Sequence, residues 1–260
     1  MIVSRLPTVA LAAAVATTLT AVTGCGTEEP SPGGSTSTRG ITVLAAASLT
    51  EAFTKIGKDF EAKNSGRTVT FSFGSSATLA TQITQGAPAD VFAAASPATM
   101  KTVTDAGAAG TPTNFVSNTL EIAVPKGNPH QITGLADFGD QKRRIAICAP
   151  EVPCGAAAVK VFAAAKITPR PDTLEQDVKA TLHKVAEDEV DAALVYKTDV
   201  ISSTADVDGI TFRESAQAVN AYPIVTLKES KDAATAQAFV NYVLSPEGQA
   251  VLTKAGFAKP

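Results

Sequence analysis

Short apolar runs alternate with amphipathic segments along most of this chain. Three apolar runs have the length and composition of buried strands: residues 41–46, 68–73 and 91–94. Two segments between them repeat apolar residues at helical spacing: residues 49–63 and 77–85. The pattern predicts strands followed by helices, which is typical of an α/β sheet protein.

The same alternation continues to the C-terminus. Six further runs fit strands or helices of such a sheet: residues 120–124, 144–149, 156–165, 178–186, 192–196 and 218–227. Near the end, Ser245 followed by Pro246 has the cap residue and first-turn proline expected at a helix start. The chain therefore ends in helices, and it contains no internal repeat.

The first 39 residues have a different character. Arg5 precedes an apolar run at residues 6–22 that is shorter than the roughly 20 residues of a membrane-spanning helix. We therefore interpret residues 1–24 as a cleaved secretory signal peptide. The stretch that closes it, Val-Thr-Gly-Cys, resembles the lipobox of bacterial lipoproteins, which predicts lipidation of Cys25. The alternative is ordinary cleavage that leaves Cys25 free or in a disulfide.

Residues 25–39 contain no apolar run and read as a flexible tether between the membrane and a globular part that begins at residue 40. That part is long enough for one large domain or two lobes of about 100 residues. The formal charge of the whole chain is −3, and it has no Trp, so nucleic-acid binding is not expected. With 2 His and no Cys/His cluster, the chain lacks the ligands of a structural zinc site.

Four predicted helices begin directly after a strand or turn with small or hydroxyl residues. These starts contain Ser48, the pair Ser75 and Ser76, Cys154, and Val178. The first N–H groups of a helix are unpaired and carry the positive end of its dipole, so each start is a candidate anion site. In a doubly wound sheet such turns converge on one crevice. We therefore expect one anion site built from several helix starts.

Each of these features also has an ordinary structural explanation. Ser48 and Glu51 have the spacing of a capping box. Ser75 and Ser76 fit a loop and a helix cap, and Tyr196 fits a core aromatic residue. None of them indicates a ligand by itself.

Six segments together resemble, in order and spacing, the periplasmic molybdate-binding proteins: VLAAASLTEAF, FSFGSSATLATQI, GAPADVFAAAS, APEVPCG, EQDVKATL and ALVYKTD. The resemblance runs from about residue 41 to the C-terminus. It implies the type II fold of periplasmic binding proteins, with two α/β lobes and a ligand cleft between them. We expect residues 40–121 and 226–260 to form lobe 1 and residues 122–225 to form lobe 2.

The resemblance also implies the ligand-binding residues. Ser48 and Ser76 would donate from lobe 1 through hydroxyl and N–H groups. Cys154 and Val178 would donate main-chain N–H groups from lobe 2, and Tyr196 its phenolic proton. Such donors can hold a fully deprotonated dianion without a metal cation or a cofactor.

The implied function is capture of molybdate, and of tungstate as well, for the permease and ATPase of an ABC importer. The protein would be a monomer outside the cytoplasm, anchored to the cell membrane as a lipoprotein, and not an enzyme. The alternative within the same class is a protein for sulfate or thiosulfate. Two other classes are an enzyme with Cys154 as nucleophile, which would need a base such as His183, and a purely structural lipoprotein.

Cys154 departs from the resembled family, many members of which have Ala at this position. Cys148 lies six residues earlier, and with Cys25 lipidated these are the remaining two thiols. Outside the cytoplasm such a pair is a disulfide candidate. The alternative is two reduced, buried thiols that act as small apolar residues.

Overall fold

The protein is represented by a computed structural model that describes residues 39–260. The predicted signal peptide (1–24), the lipidation of Cys25 and the tether up to residue 38 lie outside the described residues and stay predictions. Within residues 39–260, no helix has both the length and the hydropathy needed to cross a bilayer.

The described part alternates strands and helices, as the apolar pattern predicts. The strands are β1 (Arg39–Ala46), β2 (Arg67–Gly74), β3 (Val91–Ala93), β4 (Thr113–Asn118), β5 (Leu120–Pro125), β6 (Ile145–Cys148), β7 (Thr173–Glu175), β8 (Ala192–Tyr196), β9 (Val207–Ile210) and β10 (Asn220–Thr226). The α-helices are α1 (Thr50–Lys63), α2 (Ser76–Thr84), α3 (Pro97–Asp105), α4 (Pro153–Ala165), α5 (Val178–Ala186), α6 (Lys197–Ser202), α7 (Ala233–Leu244) and α8 (Pro246–Lys254). The predicted helix start at Ser245 is confirmed, because its hydroxyl accepts from the Gly248 N–H.

The strands form two five-stranded sheets of matching design. The first has the order β2-β1-β3-β10-β4 and the second β7-β6-β8-β5-β9. In the first sheet β2, β1 and β3 are parallel, and β10 pairs antiparallel to β3. In the second sheet β7, β6 and β8 are parallel, and β5 pairs antiparallel to β8. Helices cover the sheets, so the predicted α/β fold of two lobes is confirmed.

Each lobe has its own hydrophobic core. In the first, the rings of Phe53 and Phe60 each pack edge to face against Phe239, and the last two helices lie against α1. In the second, Phe138 and Phe162 pack beside β5, β6 and β8. The C-terminal helices therefore return to the first lobe, which makes that lobe discontinuous in sequence.

The two passages between the sheets differ from the predicted boundaries at 121/122 and 225/226. β4 ends at Asn118 in the first sheet, and β5 begins at Leu120 in the second, so the first passage is Thr119. The second lies between Ile210 and Asn220, because all of β10 pairs in the first sheet. The expected boundaries fall inside two apolar runs, residues 120–124 and 218–227, each of which lies in a single sheet. A strand instead pairs along its length, since its buried N–H and C=O groups need partners.

Candidate functional site

Four helix starts and the end of β8 surround one small cavity between the two sheets. It is lined from the first lobe by residues 46–48, 74–76 and Ala95, and from the second by residues 152–154, 177–178 and Tyr196. All five residues singled out from the sequence, Ser48, Ser76, Cys154, Val178 and Tyr196, contribute to this lining. They meet because parallel strands end at the same edge of each sheet, and the two edges face each other.

The cavity is small. Its volume is about 20 Å³. One water needs roughly 10–15 Å³ measured in this way, whereas sites for organic ligands commonly span about 300–1,000 Å³. In this conformation the arrangement suits a compact ligand of a few atoms.

Ser76 begins α2, and its hydroxyl oxygen is already used as an acceptor. The residue is 1% exposed, and its Oγ accepts from the Ala95 N–H at 3.0 Å. A serine hydroxyl has one proton and can accept and donate at the same time. The bond from Ala95 therefore fixes the oxygen and leaves its proton for another acceptor.

Ser48 is buried in a short 3₁₀ turn, Ala47–Leu49, that joins β1 to α1. Its Oγ lies 2.9 Å from the Tyr222 hydroxyl, whose oxygen also accepts from the Asn118 amide at 3.4 Å. Either hydroxyl can donate in the Ser48–Tyr222 bond. Where Tyr222 donates, the Ser48 proton is free to face the cavity.

The capping-box interpretation of Ser48 and Glu51 is wrong. The residue before α1 is Leu49, and no side chain caps this helix. The Glu51 carboxylate instead pairs with the Lys179 ammonium of the second lobe at 2.8 Å. Ser48 lies inside the 3₁₀ turn, and Leu49 stands at the cap position of α1, so the capping box is not formed.

Cys154 is the second residue of α4, after Pro153 in the first turn. Its side chain is joined to Cys148 by a disulfide bond, with the two Cα atoms 5.7 Å apart. The next residue, Gly155, packs against the backbone of Ala149, where an added Cβ would lie 1.8 Å from the Ala149 carbonyl oxygen. The disulfide and the glycine hold the end of β6 and the start of α4 together, and the Cys154 sulfur is not a free nucleophile.

Val178 is the first residue of α5, and the preceding Asp177 caps the helix. The Asp177 carboxylate accepts from the N–H groups of Lys179 and Ala180 at 2.9 and 3.0 Å. A cap of this kind satisfies the second and third N–H groups of a helix. It leaves the Val178 N–H at the cavity wall for another acceptor.

Tyr196 ends β8 and is 1% exposed. The Asn220 amide donates to its hydroxyl oxygen at 2.6 Å. Burial raises the pKa of the Tyr196 phenol well above its ordinary value, and the neighbouring Tyr222 hydroxyl adds to the rise. Tyr196 therefore keeps its proton at every physiological pH and is able to donate it in a hydrogen bond.

No Lys or Arg side chain lines the cavity in the described part of the chain, and its only ionisable lining carboxylate, Asp177, is committed to the α5 cap. The nearby Lys179 ammonium pairs with Glu51 and, at 3.4 Å, with Asp199. Asp199 is fully buried, and burial raises its pKa to about 6. The site thus offers neutral hydrogen-bond donors rather than a formal positive charge.

Sequence reasoning did not single out Asn220, Tyr222, Asn118 or Ala95. These residues support the hydroxyl groups of the site from strands β10 and β4 and from the loop after β3. Asn220 also spans the two lobes, because its amide donates to the Ala95 and Pro153 carbonyls at 2.9 and 3.4 Å. The available signal was a polar residue at one end of an apolar strand, Asn118 in β4 and Asn220 in β10, and such residues are too common to mark a site.

Comparison with known proteins places the chain in a family. Residues 41–258 match the family model of the bacterial extracellular solute-binding proteins. The molybdate-binding protein ModA of Mycobacterium tuberculosis is 44% identical over 240 residues, which cover 91% of this chain and 92% of that protein. This chain therefore belongs to the bacterial extracellular solute-binding protein family, and its resemblance to the molybdate-binding proteins is confirmed.

Solved structures agree with the fold. The periplasmic molybdate-binding protein of Azotobacter vinelandii superposes with a TM-score of 0.70 at 22% identity, covering 85% of this chain and 99% of that one. The sulfate-binding protein SubI of Mycobacterium tuberculosis gives a TM-score of 0.76 at 17% identity, covering 85% and 87%. Because the two proteins bind different anions by name, the shared fold does not define the ligand.

Proposed function

We propose that this protein captures molybdate, and tungstate as well, outside the cytoplasm and delivers it to the permease and ATPase of an ABC importer. The proposal rests above all on the way that the hydroxyl oxygens of the cavity are used. Ser76 accepts from the Ala95 N–H and Tyr196 accepts from the Asn220 amide. The protons of these groups, with the N–H groups of Cys154 and Val178, are left for an acceptor in the cavity.

A donor-only cavity matches a fully deprotonated oxyanion. Removing a dianion from water is costly unless its hydrogen bonds are replaced, and donors to a charged acceptor contribute roughly 1.5–3 kcal/mol each. Phosphate at neutral pH still carries a proton that needs an acceptor, so it would leave one donor unpaired. Sulfate is also fully deprotonated and meets the same requirement, so molybdate is assigned on the 44% identity to a molybdate-binding protein.

The direct test is calorimetric titration of the purified protein with molybdate, tungstate, sulfate, thiosulfate and phosphate, together with thermal unfolding in each anion. A ligand that binds the native state raises its apparent stability. We expect tight binding of molybdate and tungstate and weak binding of phosphate. Tight binding of sulfate or thiosulfate with weak binding of molybdate would favour the alternative ligand class, and no binding of any anion would contradict the proposal.

The lobes are proposed to close on the ligand, because each supplies only part of the donor set. Contacts between them include the bond from the Asn118 amide to the Thr198 hydroxyl at 2.9 Å, the Asn220 bonds, and the Glu51–Lys179 ion pair. X-ray scattering with and without saturating molybdate should show a smaller radius of gyration in the presence of the ion. Superimposable curves would exclude ligand-driven closure.

Anchoring through a lipid on Cys25 completes the proposal. Intact-mass analysis of protein extracted from membranes should show a diacylated Cys25 at the mature N-terminus. A Cys25→Ala variant should be released from the membrane fraction. Wild-type protein found wholly in the soluble fraction would contradict the anchor without affecting the oxyanion site. Light scattering of the soluble variant should give a monomer.

A further inference from the structure

Two serines occupy the same position, the residue before the first turn, in neighbouring helices of the first lobe. Ser96 precedes α3, and its hydroxyl accepts from the Thr99 N–H at 3.2 Å, as a cap residue does. Ser75 precedes α2 with backbone angles of −56° and 125°, yet its side chain makes no cap hydrogen bond. Serine is favoured at this position because of that bond. The Ser75 hydroxyl therefore does something other than capping.

The Ser75 hydroxyl is also unusual in its surroundings. The residue is 7% exposed, and its Oγ has no hydrogen-bond partner among residues 39–260. Ser75 lines the cavity next to Ser76. A buried polar group without a partner destabilises a protein, and such groups in native structures call for an explanation.

We propose that Ser75 is a further ligand-contacting residue, which donates a hydrogen bond from its hydroxyl to an oxygen of the bound oxyanion. The inference rests on the proposed function and adds a third hydroxyl to the donors of the first lobe. The Ser75 hydroxyl differs from those of Ser48 and Ser76 because no protein group donates to it. Its orientation is therefore set by the ligand, whereas Tyr222 and Ala95 orient the hydroxyls of Ser48 and Ser76.

This assignment predicts opposite effects of one substitution on stability and on binding. Ser75→Ala removes a buried hydroxyl that has no protein partner, so the melting temperature without molybdate should stay the same or rise. The same change removes one donor to a charged acceptor, so molybdate affinity should fall by about tenfold. A purely structural serine would lose stability and keep its affinity.

Ser96→Ala is the matched control. It removes a hydroxyl at the same helical position that does cap its helix and lies outside the cavity lining. We expect a lower melting temperature and unchanged molybdate affinity. Ser75→Gly serves as a second variant, because glycine is tolerated before a helix and also lacks the hydroxyl.

The experiment is isothermal titration with sodium molybdate, combined with thermal unfolding with and without the ion, on the wild type and these three variants. Weakened binding by both Ser75 variants, with Ser96→Ala binding as the wild type does, supports the proposal. Wild-type affinity in Ser75→Ala and Ser75→Gly overturns it. A wild-type protein that binds no oxyanion refutes the proposed function instead, so the two failures are distinguishable.

Discussion

The two lobes contribute to the same cavity by different chemistry. The first lobe presents side-chain hydroxyls, Ser48 and Ser76, each held by a second residue behind it. The second presents main-chain N–H groups at the starts of α4 and α5, together with one phenol. A hydroxyl donor depends on which residue stands at one position. A main-chain donor depends on where a helix begins, and nearly any residue can supply it.

Because of this difference, side-chain substitutions should affect the hydrogen-bond donors of the two lobes differently. Changing a side chain should remove a first-lobe donor and leave a second-lobe donor in place. Only proline deletes a main-chain N–H.

Val178→Pro should have the largest effect on binding. Proline is well tolerated at the first position of a helix, and the extended Asp177, with angles of −155° and 171°, suits a residue before proline. The variant deletes the Val178 N–H with α5 intact, so molybdate affinity should fall by about 10- to 100-fold. Val178→Ala, which keeps the N–H, is the control and should bind nearly as the wild type does. Equal affinities of the two variants in calorimetry would remove this donor from the site.

Ser48→Ala and Ser76→Ala should each weaken molybdate binding by about tenfold or more. Each leaves one ligand oxygen without its donor, and Ser76→Ala also leaves the Ala95 N–H unpaired. Titration of both variants checks the prediction, with circular dichroism to establish that they are folded. If neither variant differs from the wild type, the first lobe does not act through hydroxyls and the contrast between the lobes fails.

Asp199 should make stability depend on pH. Burial raises its pKa from 3.8 to about 6 in the folded protein, so between these values the folded state keeps a proton that the unfolded chain has released. Stability is therefore favoured at low pH by this group and falls as pH rises, by about 1 kcal/mol between pH 5 and pH 7.

The check is denaturant unfolding of the wild type and Asp199→Asn at both pH values. The unfolding free energy of Asp199→Asn should lack this pH-dependent contribution. The difference in unfolding free energy between the variant and the wild type should therefore change with pH. A constant difference would show that the carboxyl group of Asp199 titrates alike in both states.

Reduction of the Cys148–Cys154 disulfide should have the smallest effect, about threefold on affinity. The bond stiffens the loop that presents the Cys154 N–H, but it closes only a short loop and leaves that N–H in place. Alkylation under denaturing conditions without reductant, followed by mass spectrometry, first establishes whether the exported protein carries the bond. Titration before and after reduction then gives the effect. Two free thiols in the native protein would end this prediction.

Much of the fold could be predicted from the sequence because burial leaves a periodic trace. The apolar runs and helical spacing of residues 41–94 correspond to β1, α1, β2, α2 and β3. α3 was not predicted, because only Met100 and Val103 of its nine residues are buried, and so its apolar stripe is weak. Neither was β4, whose first two residues are exposed.

The order of residues specifies which segments begin helices after strands, and therefore where unpaired N–H groups and hydroxyls such as Ser48 and Ser76 stand. What those groups contact depends on tertiary packing. Ser75 and Ser76 are adjacent and chemically identical, yet Ser76 accepts from the Ala95 N–H, whereas the Ser75 hydroxyl has no partner in residues 39–260. Tyr222, Ala95 and Asn220, which support the hydroxyls of Ser48, Ser76 and Tyr196, lie 174, 19 and 24 residues away in sequence. Such hydrogen bonds leave no periodic pattern, because they depend on how strands and helices pack in three dimensions.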